Sequence, residues 1–114
     1  MYDLGPSVTS FVESHVKSLL AWDIVVFFHR NPEVALDLPG LAGRLARRVE
    51  EIQPEVDALC KGHVLHCEDE LVSYQPTPEL REQVASFCDA CQDRSGRLAL
   101  VALVLSRITR NRVR

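Results

Sequence analysis

The chain is poor in aromatic residues, with one Trp, two Tyr and four Phe in 114 positions, and glycine and proline together number only 11. Leu, Val, Ala, Arg and Glu dominate instead, which disfavours a many-stranded sandwich and favours helices. No run of about 18 apolar residues exists. Leu19 to Phe28 is broken by Asp23, and Leu98 to Leu105 is only eight residues long, so no membrane span is expected. The start, Met1-Tyr2-Asp3-Leu4-Gly5-Pro6, lacks the basic residues, apolar run and small-residue cleavage site of a secretory signal. A cytoplasmic protein is therefore expected, with its four cysteines reduced and no disulfide scaffold. Catalytic motifs are missing too: there is no nucleophile elbow, no glycine-rich phosphate loop and no carboxylate pair beside a histidine. His15 and His29 lie on helical stretches with no nucleophile in register, so no enzyme and no cofactor are expected.

What is present is a single domain, residues 1–114, whose 46% apolar content can form a core of its own. Its net charge of -3 conceals a partition. Residues 1–36 carry -2, 37–62 carry -1, 63–93 carry -6 and 94–114 carry +6. The basic end is all arginine, and on a continuous helix Arg107, Arg110 and Arg114 would share one face. Such a face suits either the negative end of a helix dipole or contact with phosphates.

Local patterns divide the chain into elements. Ser10-Phe11-Val12-Glu13 has the form of a capping box and predicts a helix start. An apolar stripe follows through Val12, His15, Leu19, Ile24 and Phe28, with a break near Ser18 to Trp22 left open, and Asn31-Pro32 ends it. Val34-Ala35-Leu36 reads as a short strand, and Asp37-Leu38-Pro39 as the cap of a short helix burying Leu38, Leu41, Ala42, Leu45 and Ala46. A third helix runs from about Glu50 to Lys61, with Ile52, Val56 and Leu59 inward and Gly62 as a left-handed stop. Pro54 fits it only by a late start or a kink. Val64 to Glu68 and Leu71 to Gln75 alternate as a hairpin around Glu68-Asp69-Glu70. Thr77-Pro78-Glu79 then caps a last helix with Leu80, Val84, Phe87, Cys88 and Cys91 on one face and an interruption or loosening at Ser95-Gly96.

This order, helix, strand, short helix, helix, hairpin, resembles a winged helix-turn-helix. Ala21 to Pro32 resembles its first core helix and Leu41-Ala42-Gly43-Arg44-Leu45-Ala46 its second. Val56 to Leu65 is similar to the end of a recognition helix entering the wing, and Tyr74 with Thr77-Pro78-Glu79-Leu80-Arg81 to the close of the wing. The flanking helices resemble those of MarR-like and PadR-like bacterial transcriptional regulators. The resemblance implies a mostly α, α+β fold with a winged-helix core over 19–77 and a long C-terminal dimerisation helix over 78–114. It also implies a homodimer on double-stranded DNA, with Arg44, Arg47 and Arg48 on phosphates, Gln53 reading a base edge, and Lys61 assisting.

The third helix departs from that pattern by exposing Glu50, Glu51, Glu55 and Asp57, and the wing tip is acidic where bases are usual. Two functions therefore stay open, DNA binding and a protein partner without DNA affinity. Leu98, Leu100, Val101, Leu103, Val104 and Leu105 form an apolar circumference that predicts the dimer interface. Residues 78–110, if continuous, would reach about 50 Å and project from the domain. Cys60-x-x-His63, His66-Cys67 and Cys88-x-x-Cys91 have zinc-like spacing, but Cys88 and Cys91 extend an apolar stripe, and no metal is expected.

Overall fold

The computed structural model describes residues 5–112, with side chains described through Ser106. Arg107, Arg110 and Arg114, expected to share one helix face, lie outside the residues whose side chains are described.

Helix α1 spans Gly5–His15 and α2 spans Leu19–Arg30. The predicted start at Ser10 is too late, because Ser10 lies inside α1; its hydroxyl and Glu13 form no cap there. The open question between one helix and two resolves as two. Ser18 is the N-cap of α2, its hydroxyl accepting from the Ala21 amide at 3.0 Å. Asn31 ends α2 as expected, its backbone amide (3.0 Å) and Nδ2 (2.9 Å) both donating to the Phe27 carbonyl.

Strand β1 is Ala35–Leu36, and α3 is Leu38–Leu45, where the Asp37 carboxylate accepts from the Gly40 amide at 2.8 Å. Of the face predicted for α3, Leu41 and Ala42 are buried, Leu38 and Leu45 half-buried, and Ala46 exposed. Ala46 instead closes the helix in the left-handed region, at φ 56°. Helix α4, Val49–Lys61, buries Ile52, Val56 and Leu59 as predicted. It does not start late, since Pro54 sits exposed in its second turn, inside the helix, where it has no N–H to donate to the Glu50 carbonyl.

Gly62 follows α4 at φ -82°, not in the left-handed region; that conformation belongs to His63, at φ 65°. The His63 amide donates to the Cys60 carbonyl at 3.1 Å and the Val64 amide to the Leu59 carbonyl at 3.0 Å, which is a Schellman closure with histidine where glycine is usual. This closure shortens the first strand of the hairpin. Val64 and Leu65 are buried against the core, leaving β2 as His66–Glu68 and β3 as Leu71–Ser73. The two-residue turn Asp69-Glu70, with φ 53° and 66°, joins them, the positive-φ pair of a type I′ hairpin. The sheet has order β1-β3-β2, antiparallel throughout, with Leu36 and Cys67 both opposite Val72.

The C-terminal region corrects the expectation of one projecting helix. Helix α5 is Pro78–Gln92 and α6 is Arg94–Arg112, with the chain turning at Asp93. Asp93 caps α6, its Oδ2 accepting from the Gly96 amide at 2.9 Å and its carbonyl from the Arg97 amide at 2.8 Å. Helix α6 thus folds back onto α5 and α1. The result is a mostly helical α+β protein around one core, in which Phe11, Phe28 and Phe87 are the largest fully buried side chains.

Candidate interaction surfaces around helix α4

The expected DNA-contacting residues are all exposed: Arg44 in the last turn of α3, Arg47 and Arg48 between α3 and α4, and Gln53 and Lys61 on the outer side of α4. Their surroundings differ from the sequence expectation in three ways. Glu51 accepts from the Arg48 backbone amide at 3.0 Å and lies 3.7 Å from the Arg47 guanidinium and 3.5 Å from Arg48 Nε. The backbone hydrogen bond, reinforced by both arginines, holds its carboxyl below the usual carboxylate range. Glu55 does not belong to the outer face at all. It is half-buried and accepts from the Ser18 hydroxyl at 3.0 Å, tying α4 to the start of α2. The fully exposed acids of α4 are therefore Glu50 and Asp57. Finally, Arg44 joins Arg30 and Arg97 around a cleft of about 450 Å³ beside Trp22 and Cys91. Among the described residues none of these three arginines is in an ion pair. No local pattern links positions 30, 44 and 97, so sequence spacing could not assemble them.

The cysteines overturn the expectation of four thiols. Cys60 and Cys67 form a disulfide, with Cα atoms 6.3 Å apart. Opposite Val72, Cys67 lies on the sheet face turned toward the core and α4, where Cys60 occupies the last turn. The bond clamps the hairpin to α4. Cys88 and Cys91 remain thiols on the inner face of α5, as the apolar-stripe reading holds. Burial pushes them up to about 12 and about 11. They are therefore protonated and poor nucleophiles near neutral pH. Among the described residues no cluster of three metal-ligating side chains occurs.

A groove of about 460 Å³ runs between the start of α3, the middle of α4 and the hairpin. Leu38, Val56 and Leu71 line it, with Asp37, Asp57 and Glu70 among the polar residues. Leu71 keeps 44% of its surface exposed. Neither Asp57 nor Glu70 has an ion-pair partner among the described residues.

The expected dimer residues divide. Leu100 and Val104 are fully buried in the chain's own core, because the turn at Asp93 brings α6 onto α1 and α5; they are not available to a second copy. Val101 and Leu103 are half-buried, while Leu98 (63%) and Leu105 (44%) are exposed. Among the described residues no helix is long and apolar enough to cross a membrane. No protein family, curated protein or solved structure matches the chain.

Proposed function

We infer that this chain is a winged helix-turn-helix regulator that binds duplex DNA as a homodimer. The observation that carries this reading is the element order with the β1-β3-β2 sheet, in which only Ala46 to Arg48 separate α3 from α4. Helix α4 leaves Gln53, Asp57 and Lys61 on one exposed stripe at four-residue spacing, as an element entering a major groove requires. Withdrawal of Glu55 to Ser18 and of Glu51 to its arginines lowers the acid load on that stripe. Arg44, Arg47 and Arg48 serve phosphates, Gln53 serves a base edge, and Lys61 adds charge at the far end of α4. A second copy covers Leu98 and Leu105 on α6. Duplex binding measured against salt tests the reading: three phosphate contacts per protomer, six in the dimer, give a log–log slope of about -5, reduced in Arg47→Ala with Arg48→Ala. Absence of duplex binding at low salt would remove it.

A second reading, a winged helix that meets protein instead of DNA, is favoured by one observation. The hairpin turn carries Glu68, Asp69 and Glu70, all exposed and held against α4 by the disulfide, where a DNA-binding wing needs bases.

A further inference from the structure

We propose that the groove between α3, α4 and the hairpin is a docking site for a partner-protein segment carrying an apolar side chain flanked by arginine or lysine. It rests on the second reading above and adds the chemistry of the partner. The groove has the two components such a segment needs. Leu38, Val56 and Leu71 supply an apolar floor, and Leu71 is one of the large apolar side chains that this fold leaves substantially uncovered. Asp37, Asp57 and Glu70 supply three carboxylates around it. Asp37 accepts from the Gly40 amide through Oδ1, while Asp57 and Glu70 have no ion pair among the described residues. Glu68 and Asp69 extend the negative field past the groove along the hairpin.

Charge sign selects the occupant. Phosphates of nucleic acid and anionic lipid headgroups are repelled by this rim, whereas guanidinium and ammonium groups are attracted. The apolar floor adds a requirement that a purely cationic segment cannot meet, because covering the exposed parts of Leu71 and Leu38 yields free energy only to apolar surface. The walls are fixed before the partner arrives: the Cys60–Cys67 bond joins hairpin to α4, and the Asp37 cap holds the start of α3. A preformed groove loses less freedom on binding than one that must be ordered.

Chemical-shift titration of the full-length isotope-labelled protein tests this with three capped hexapeptides. These are Ala-Arg-Leu-Leu-Arg-Ala, Ala-Arg-Ser-Ser-Arg-Ala and Ala-Glu-Leu-Leu-Glu-Ala. The first should shift amides of Val56, Asp57, Leu71 and Val72, and the other two should bind at least threefold more weakly. Asp57→Asn with Glu70→Gln should weaken the first peptide about three- to tenfold, as expected for two partly exposed charge pairs. Leu71→Ser should weaken it while leaving the Ser-containing peptide unchanged. Equal binding of the Arg-Leu and Arg-Ser peptides, equal binding of the acidic peptide, or shifts confined to another surface would each overturn the proposal. Because duplex binding is measured separately, loss of the DNA reading leaves this result intact. Peptide failure alongside duplex binding would remove both this proposal and the second reading.

Discussion

At the residue scale, Gly62 and His15 form a coupled pair that no spacing rule signals. A Cβ built on Gly62 would lie 2.6 Å from His15 Nδ1 and 2.8 Å from Cε1, although its backbone conformation suits any residue. The requirement for glycine is therefore close approach of a side chain 47 positions away, and the sequence-based assignment to left-handed geometry named the right residue for the wrong reason. Gly62→Ala should cost about 1–2 kcal/mol in urea unfolding. Combining it with His15→Ala should recover part of that cost, and strict additivity would refute the contact. His15 also titrates. Burial first, and Lys17 second, lower its pKa from 6.5, so the folded state favours the neutral ring. Its contribution is fully present above the unfolded value and is lost as pH falls through the folded one. Thermal melts should show stability declining below about pH 6.5, with a shallower decline in His15→Gln. The neighbouring His63 occupies a position where the left-handed backbone crowds any Cβ. His63→Gly should raise stability by about 0.5–1 kcal/mol, and a decrease would show that the imidazole makes a compensating contact.

At the element scale, caps were legible because they are local. Asp37, Thr77 and Asn31 each act within four residues of themselves, and all three perform as their patterns predict. Asp93 has the same signal, a carboxylate three residues before an amide it can accept from, yet Ser95-Gly96 draws attention past it. The consequence is large, since a single cap there divides α5 from α6 and reverses the chain. The hairpin shows the opposite case. Its alternating pattern runs over five residues per strand, but Val64 and Leu65 are taken by the closure of α4, which competes for the same backbone groups. With three residues per strand, the hairpin depends on its clamp. The seven-residue separation of Cys60 and Cys67 corresponds to roughly 2–3 kcal/mol of unfolded-state constraint. Reduction, or Cys67→Ser, should lower the unfolding free energy measured in urea by that amount and speed amide exchange in β2 and β3. Unchanged exchange would mean that the core residues Val72 and Tyr74 hold the hairpin unaided.

For the whole molecule, the question is which apolar surface the fold leaves for a second copy. Leu100 and Val104 pack inward, so Leu100→Glu should unfold the protein and reports nothing about association. Leu98 and Leu105 lie one heptad apart and outward, so Leu98→Glu with Leu105→Glu should leave the circular dichroism unchanged while halving the mass seen by light scattering. An intact protein that is already monomeric would remove the dimer.

The sequence by itself determined much of what acts over a turn or two: the caps at Asp37 and Thr77, the stop at Asn31, the existence of the short strands, the apolar stripes, the general α+β class and the absence of an apolar run of about 18 residues. These follow from backbone hydrogen bonding and side-chain periodicity within one element. Only the tertiary structure decided which faces met. It paired Cys60 with Cys67, turned Glu55 away from the outer face to Ser18, gathered Arg30, Arg44 and Arg97 around one cleft, and folded α6 back so that Leu100 and Val104 joined the core. The Glu55–Ser18 bond and the arginine cleft join residues far apart in the chain, while the Cys60–Cys67 bond and the docking of α6 depend on how whole elements pack against one another, which the core sets and no local spacing encodes.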